Sequence, residues 1–428
     1  SAGVDTSDHE VNIKILLDAE VAAGRISEQE RDKLLPAMAD DVASLVLRHN
    51  HSQNLALANA LSSDGPTAGV LEAWMCELEE SGHLDRAVDT MPSTTEMNRR
   101  MAAGERLASP ELCTLLAWTK IALCDAVLAT DLPEDPFVAD RLVGYFPPLL
   151  RERFTERMPT HRLHREIITT EAVNRFVDSQ GITAYYRLHL QTGADIAQVI
   201  RCQLAARSVF GLGRVETDLT HLGLDAVRTA KIRFALTDLA MHATRWFLNH
   251  GGADDIAGTI ETYRPGVATL VEKLSERLLG DSADAWQEKV DEVTELGLDR
   301  SDAAVVAAYD WSPVLLSIVE ISEEGHPLDE VADAYLTLAR RVDMIRLTRL
   351  VEQLPQDRPT DARVRASLRE DLLRVMSDAT RRAVVIGTDN VLADGGRIVK
   401  SIAANPDLAH CVVMVSDLRS AVGQEVTL

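Results

Sequence analysis

The sequence has 428 residues, of which 46% are hydrophobic, 26% are charged and 4% are aromatic. Its length suggests two or three domains, and its composition is that of a globular protein that can form buried cores. The chain carries 44 Lys and Arg residues against 67 Asp and Glu residues, a net charge of −23 that disfavours nucleic acids and anionic membrane surfaces as partners.

The cysteine pattern and the lengths of the apolar runs indicate the cellular compartment of the protein. Five cysteines are scattered along the chain without a C-x-x-C pair, which disfavours a disulfide framework or a zinc cage and fits a reducing environment. No signal peptide is recognisable, and no apolar run approaches the length that spans a bilayer. We therefore expect a soluble, cytoplasmic protein with no membrane partner.

The first predicted element is a short loop followed by a helix, within residues 1–24. Ile13, Leu16 and Leu17 have the spacing of one helix face, and Gly24 is expected to end the helix. The alternation of apolar and polar residues around Ile13 leaves a short strand as the alternative.

Helix caps and helix breakers then follow one another along the chain. Ser27 with Glu30 forms a capping-box pattern, in which each side chain satisfies a free backbone amide of the first helical turn. In "SPELCTLLAWTKIALCDAVLAT", Ser109 is expected to cap a long helix and Pro110 to occupy its first turn. Straight-chain residues dominate throughout, and these favour helices over strands.

The predicted fold class is therefore all-α, a multi-helix region preceded by a short loop. The segment 249–266 contains several glycines and a proline and is the best candidate for a domain boundary. We predict a helical domain over 25–250 and a second helical domain over 251–428, after the loop and helix of 1–24.

Two groups of residues contain side-chain types that occur in active sites, but their spacing along the sequence is not the one that such sites require. His161 and His164 with Glu166 could bind a metal ion, but zinc normally requires a third protein ligand with supporting contacts. We expect both histidines to be structural and predict no metal site, with a metalloenzyme as a weak alternative. The other group, which includes Ser7 and His9, contains the residue types of a hydrolase triad, but sequence neighbours rarely adopt that geometry.

Four sequence segments resemble one family. They are "GVDTSDHEVNIKILL", "SPELCTLLAWTKIAL", "GYFPPLLRERF" and "HRLHREIITTEAVNRFV". They are similar to the C-terminal region of the large bacterial NAD-specific glutamate dehydrogenases. The resemblance extends from residue 1 to about residue 250, and from there to residue 428 it depends on position and helical character.

The resemblance gives a role to the opening residues. In glutamate dehydrogenases a segment of the form N-A-G-G-V-x-x-S-x-x-E closes the substrate pocket. Gly3, Val4, Ser7 and Glu10 match that pattern, Ala2 stands in place of a glycine, and the Asn would precede the first residue. The match implies that Gly3 belongs to the substrate-binding segment and that Val4 is an apolar wall of the pocket. It also implies that Ser7 donates to the side-chain carboxylate of L-glutamate or 2-oxoglutarate, the alternative being a helix N-cap.

The resemblance also implies what this chain does not supply. The family's catalytic Lys and Asp and its NAD-binding turn belong upstream, so no catalytic or cofactor-binding residue is assigned to this chain, and NAD is expected to bind the upstream domain. The whole enzyme would deaminate glutamate to 2-oxoglutarate and ammonium, and the helical region would serve oligomerisation, as a tetramer or hexamer, or regulation. The alternative is a self-standing all-α interaction or scaffold module without catalytic activity.

Overall fold

The fold of the chain is helical. The structure is a computed structural model that describes residues 2–62, 67–354, 359–392 and 407–423. These residues form α-helices and short 3₁₀ helices, and no β-strand occurs among them, so the predicted all-α class is confirmed. The alternative of a strand near Ile13 is wrong, because that segment is helical.

The α-helices of the described residues follow one another closely along the chain. The first part of the chain contains α1 Ala2–Ala22, α2 Glu28–Ala37, α3 Ala39–Leu61, α4 Ala68–Glu80, α5 Thr94–Ala102, α6 Ser109–Leu128, α7 Pro136–Ala139, α8 Leu142–Tyr145, α9 Pro148–Phe154, α10 His164–Gln180 and α11 Ala184–Thr192. The second part contains α12 Ile196–Val209, α13 Leu212–His221, α14 Ala226–Asn249, α15 Ile256–Arg277, α16 Asp281–Glu295, α17 Arg300–Ala307, α18 Ser312–Glu323, α19 Leu328–Arg341, α20 Met344–Glu352, α21 Pro359–Ile386 and α22 Leu408–Gly423. Short 3₁₀ helices lie at Leu132–Glu134, Thr155–Thr160, Ala308–Trp311 and Thr388–Asn390.

The chain divides into two compact units. One comprises Ser1–Tyr186 with Asp195–Arg201, and the other comprises Arg187–Ala194 with Cys202–Leu428. Helices α11 and α12 each contribute residues to both units. The segment 249–266 lies inside the second unit and includes the connection between α14 and α15. The division into domains 1–24, 25–250 and 251–428 stays a prediction.

The core of the first unit forms around α10, which packs against α3, α6 and α8. On α10, Val173 and Phe176 are buried, and Leu115 of α6 is fully buried. The indole N–H of Trp74 donates to Thr119 Oγ1 at 2.8 Å, which joins α4 to α6 inside the core. Because a buried N–H without a partner is costly, this hydrogen bond allows a large indole to be buried at this position.

The core of the second unit forms around α18, which packs against α14, α15, α19 and α21. Trp246 of α14 is buried and donates to Ser317 Oγ of α18 at 3.0 Å. The stretch Arg300–Glu323 is long and apolar enough to cross a membrane by length and composition alone, contrary to the expectation from sequence. Much of it is buried inside the unit, where it forms α17, a 3₁₀ helix and α18.

Capping and helix-breaking residues in the sequence predicted some helix ends correctly. The Ser27 hydroxyl accepts a hydrogen bond from the Glu30 amide at 3.1 Å, so the predicted N-cap of α2 is confirmed. Gly24 ends α1 with a φ of +69°, a conformation in which glycine is favoured. The predicted cap of α6 is wrong: the N-cap is Ala108, and the Glu111 carboxylate accepts from the Ala108 amide at 2.7 Å.

The prediction of a loop before the first helix is also wrong, because α1 begins at Ala2. Polar residues such as Asp5, His9 and Asn12 suggested a loop before the apolar stripe. In the structure the side chains of His9 and Asn12 are buried, and Asp5 is half-buried. The helix extends through this segment because Asp5 and Asn12 form polar contacts with His49 and Tyr145 of neighbouring helices, and the His9 ring stacks on Tyr145.

Candidate functional site

Helix α1 has two different faces. Ile13, Leu16 and Leu17 are buried on the inner face, as the helical spacing predicted. On the outer face Val4 and Val11 are 71% and 50% exposed. An exposed apolar strip on a helix whose opposite face is packed marks a surface suited to covering another group.

The three residues predicted to bind substrate lie together on the outer face. Gly3, Val4 and Ser7 are exposed, and the spacing i, i+1 and i+4 places them side by side in the first two turns of α1. A Cβ at Gly3 would meet no atom within 4 Å, so the surface around it is open. The structure thus brings the three residues together on a helix instead of a loop, and their role in binding substrate stays a prediction.

Ser7 is not positioned as a helix cap. The helix begins five residues earlier, at Ala2, so the Ser7 hydroxyl lies beyond the amides that an N-cap would satisfy. Within the part of the chain that the structure describes, the Ser7 hydroxyl has no hydrogen-bond partner. It is therefore free to donate to a group outside this chain.

A polar cluster beneath α1 holds the helix in place. The Tyr145 hydroxyl of α8 donates to Asp8 Oδ2 at 2.7 Å. The side-chain amide of Asn12 donates to Tyr145 at 2.9 Å and lies 3.3 Å from Asp8 Oδ1. Burial, together with the hydrogen bond to Asp8, raises the pKa of Tyr145, so this hydroxyl keeps its proton. These contacts tie the second turn of α1 to α8.

His161 belongs to the same cluster. Its Nε2 lies 3.0 Å from the Asn12 carbonyl oxygen, and its Nδ1 accepts a hydrogen bond from the Leu163 amide at 3.1 Å. Nδ1 must therefore carry a lone pair and Nε2 the proton, which is the neutral tautomer. Burial lowers the pKa of His161 in agreement with this assignment.

The metal alternative finds no support in this arrangement. Both nitrogens of His161 are occupied, and His164 Nδ1 lies 2.8 Å from the His161 carbonyl oxygen. Glu166 is exposed. No group of three His, Cys, Asp or Glu side chains able to hold a metal ion occurs in residues 2–62, 67–354, 359–392 and 407–423.

A pair of histidines completes the cluster on the side of α3. His9 is buried and stacks on the Tyr145 ring with centroids 4.3 Å apart. His49 lies 3.3 Å from Asp5 and 3.5 Å from Glu171. The hydrogen bond to Asp5 and the charge of Glu171 raise the pKa of His49, whereas burial lowers the pKa of His9. His49 thus bridges carboxylates of α1 and α10, and His9 packs between the rings of His49 and Tyr145.

Sequence reasoning missed most of this cluster. No sequence pattern marks the members of this cluster, apart from their positions near helix caps or inside motifs. They are His9, His49, Tyr145 and Glu171. The signal that could have found them is local: His9 and Glu171 occupy positions that the helical spacing directs toward the core, where an ionisable residue requires a partner. Tyr145, His161 and Glu171 also lie in the segments that carry the family resemblance.

Family comparisons agree with those segments. Residues 104–425 match the family described as glutamate dehydrogenase, C-terminal, and residues 1–60 match the bacterial NAD-glutamate dehydrogenase catalytic domain. The second match covers α1, α2 and nearly all of α3, which together include the outer face of α1 and part of the polar cluster beneath it.

Three relatives are named NAD-specific glutamate dehydrogenase. The Pseudomonas aeruginosa protein is 33% identical over 440 residues, which is all of this chain and 27% of the relative. The Mycobacterium tuberculosis protein is 34% identical, and the Halomonas elongata protein is 32% identical. The matches cover 90% and 91% of this chain respectively, and 24% of each relative. The chain therefore spans about a quarter of the length of these curated relatives.

Proposed function

The chain belongs to the glutamate dehydrogenase C-terminal family, and we propose that it is the C-terminal part of an NAD-dependent enzyme that deaminates L-glutamate oxidatively to 2-oxoglutarate and ammonium. The observation that carries this proposal is the 33% identity to an NAD-specific glutamate dehydrogenase along the whole chain. The helical architecture and the quoted segments are consistent with it.

The outer face of α1 supplies one wall of the substrate site in this proposal. Ser7 donates a hydrogen bond to the distal carboxylate of glutamate or 2-oxoglutarate, Val4 contacts its methylene groups, and Gly3 leaves room for the ligand. A hydrogen bond to a charged group contributes about 1.5–3 kcal/mol. The exposure of all three side-chain positions and the unoccupied Ser7 hydroxyl support this role.

The polar cluster beneath α1 serves as the support of that wall. A binding residue must be held close to its productive position, and this precision comes from the packing behind it. Tyr145 and His161 fix one side of α1, and His49 fixes the other through Asp5. In this proposal none of these groups reacts with substrate.

Hydride transfer requires NAD held against the substrate, and we propose that NAD and the catalytic Lys and Asp belong to a domain upstream of this chain. The 428 residues alone are then inactive. The helical region serves oligomerisation, as a homo-tetramer or homo-hexamer, or regulation. We also propose a cytoplasmic location, supported by the scattered cysteines Cys76, Cys113, Cys124, Cys202 and Cys411, none of which forms a disulfide within the described residues.

The test compares the full-length enzyme with the isolated chain. We expect the full-length protein to form NADH from NAD in a glutamate-dependent reaction, and the isolated chain to form none. Absence of activity in the intact, folded full-length protein would contradict the proposed reaction. Turnover by the isolated chain would contradict the assignment of the catalytic groups to the upstream domain.

The alternative is an all-α scaffold module that functions alone. The two hypotheses differ in the mass of the protein from which the chain comes. A source protein far above 46.9 kDa supports the enzyme, and a natural start at the first residue supports the module.

A further inference from the structure

His49 of α3 lies between two carboxylates that belong to different helices. Its Nδ1 is 3.3 Å from Asp5 Oδ2 of α1, and its Nε2 is 3.5 Å from Glu171 Oε1 of α10. A neutral imidazole has one N–H and one lone pair, so it can donate to one of these carboxylates but presents its lone pair to the other. Only the imidazolium form has an N–H on both sides. The side chain therefore links α3 to both helices when it is protonated, and to one of them when it is neutral.

Glu171 requires a positive partner at this position. It is 6% exposed, and a carboxylate that is buried to this extent is costly without a cation or a hydrogen bond. Among the described residues the other cation in contact with it is Arg175, whose Nε is 3.7 Å away and whose side chain is 58% exposed. The side chain of His49 is 22% exposed, so His49 is the more buried of the two partners. A proton on His49 therefore compensates a buried charge.

His9 is the histidine that stays neutral. Its ring is stacked between those of His49 and Tyr145, with centroids 5.9 Å and 4.3 Å away. It is 1% exposed, and neither of its ring nitrogens has a hydrogen-bond partner within the part of the chain that the structure describes. A charge on His9 would be uncompensated and would lie beside that of His49. Protonation of His49 thus strengthens the contact with α1, whereas protonation of His9 would weaken it.

The charged and titratable groups that act on His49 come from the helices around it. They are Asp5 and His9 of α1, Glu171 and Asp178 of α10, and Arg48 of α3. Asp178 is paired with Lys120 of α6 at 2.7 Å. The hydrogen bond to Asp5, together with the charge of Glu171, raises the pKa of His49 in spite of burial. The contact with Asp5 is therefore complete below about pH 6.5, the pKa of a free histidine, and is lost as the pH rises through the raised value.

The contact acts on the part of α1 that carries the proposed substrate residues. Asp5 lies in the first two turns of α1, as do Val4 and Ser7. The neighbouring contact, from Tyr145 to Asp8, does not titrate near neutral pH, because burial raises the pKa of the Tyr145 hydroxyl. A change in pH near neutrality thus reaches these turns through His49.

We propose that His49 is a positioning residue for the substrate: with a proton on both ring nitrogens it holds the first turns of α1 against α3 and α10, and loss of one proton loosens them. The effect on substrate rests on the proposed function, in which Val4 and Ser7 contact glutamate or 2-oxoglutarate. His49 itself does not touch the substrate. Substrate binding therefore weakens as His49 loses its proton, while the chemical step is unaffected.

Hydrogen–deuterium exchange of the 428-residue chain tests the holding of α1 without any enzyme activity. After correction for the intrinsic pH dependence of exchange, we expect protection of the amides of residues 2–22 to fall at least about threefold from pH 6 to pH 9. Protection that rises with pH would show that His9 is the group that titrates, and would overturn the proposal.

The variant His49→Gln cannot carry a charge. We expect its α1 to exchange at pH 6 as fast as that of the parent chain at pH 9, with little change between the two pH values. Asp5→Asn, at a half-buried position, removes the other charge of the pair and should have the same effect. The matched control is His51→Gln, at an exposed position of α3, which should keep the parent pH dependence. Protection that is independent of pH in the parent chain, or that all three variants alter equally, would overturn the proposal.

Kinetics of the full-length enzyme test the link to substrate. The ratio of KM for glutamate in His49→Gln to that in the parent should be at least about threefold at pH 6 and should approach one at pH 9, with the ratio of kcat near one throughout. A purely structural role would give the same KM ratio at every pH, so a constant ratio would overturn the positioning role. A folded full-length protein without activity would instead contradict the proposed function, and the exchange of α1 would still decide whether His49 holds the helix.

Discussion

The Tyr145 hydroxyl and the Asp8 carboxylate are 2.7 Å apart, although 137 residues separate them in sequence. Tyr145 is 4% exposed, whereas Asp8 lies at the edge of α1 and reaches solvent. The contact therefore fixes an exposed helix to a buried ring. Since the proposed substrate face is on that helix, the stability of this contact bears on the geometry of binding.

A double-mutant cycle measures this contact. We expect Tyr145→Phe to lower the free energy of unfolding by about 1.5 kcal/mol, because it removes a hydrogen bond to a charged group while keeping the ring. Asp8→Ala should cost a similar amount, and the double variant should lose about 1 kcal/mol less than the sum. Urea unfolding of the four proteins provides the values. Additive losses would show that the two side chains do not interact in solution.

The helix ends that depend on a single capping residue were the features best predicted from the sequence. The Ser27 cap and the Gly24 stop each depend on one residue and its immediate backbone. The failure at Ser109 has the same local origin. Glu111 reaches back to the Ala108 amide, so a side chain three residues later satisfies the helix start without a hydroxyl at the cap.

The polar cluster could not be assembled from the sequence. The sequence around Asp5 and His9 is polar enough to indicate a loop, and only contacts with His49 and Tyr145 explain why it is helical. Those partners lie about forty and more than a hundred residues away. No spacing rule connects positions so far apart, and the identity of a partner depends on how α3, α8 and α10 pack.

Arg86 is a second buried ionic contact whose removal should be costly. Its guanidinium donates to Glu72 at 2.8 Å, to Glu79 at 2.6 Å and to a backbone carbonyl at 2.9 Å, and the side chain is 8% exposed. Arg86→Met leaves the Glu72 carboxylate buried without a cation, so we expect a loss of about 3–5 kcal/mol in unfolding free energy. Thermal or urea unfolding of the chain measures it.

The matched control is Arg99→Met. Arg99 also contacts two carboxylates, those of Glu96 and Glu105, but its side chain is 55% exposed. Water replaces such contacts, so the loss should be much smaller than that of Arg86→Met. Equal losses for the two variants would contradict the reasoning from burial.

His250 should make the stability depend on pH. Burial alone would lower the pKa of His250, but hydrogen bonds to Glu320 and Glu370 outweigh burial and raise it to about 9. The folded state therefore holds this proton more tightly than the unfolded state. The resulting stabilisation is complete below about pH 6.5 and is lost as the pH rises through 9, by at most about 3 kcal/mol.

The variant His250→Gln isolates this contribution because glutamine does not titrate. Between pH 6.5 and 9, we expect unfolding free energy to fall more steeply in the parent chain than in the variant. His221→Gln, at an exposed position of α13 in the same unit, should retain the parent slope. If the parent and His250→Gln have the same slope, His250 is not charged between its two carboxylates.

Ser7 provides the most direct test of the proposed substrate wall. The residue lies inside α1, so its replacement by alanine removes no cap and slightly favours the helix. A loss of stability is therefore not expected, and an effect on substrate can be assigned to the hydroxyl. Ser44→Ala is the matched control, because Ser44 is also exposed on a helix and its hydroxyl donates to the Asp40 carbonyl at 2.8 Å.

In the full-length enzyme, Ser7→Ala should raise KM for glutamate about tenfold to a hundredfold with kcat little changed. The hydroxyl contacts a carboxylate that does not react, so it stabilises the ground state and the transition state equally. Binding of 2-oxoglutarate, which carries the same distal carboxylate, should weaken in parallel, whereas KM for NAD should barely change. Steady-state kinetics and an unfolding curve for Ser7→Ala and Ser44→Ala provide the comparison. Unchanged KM for both acids in Ser7→Ala would remove Ser7 from the substrate site.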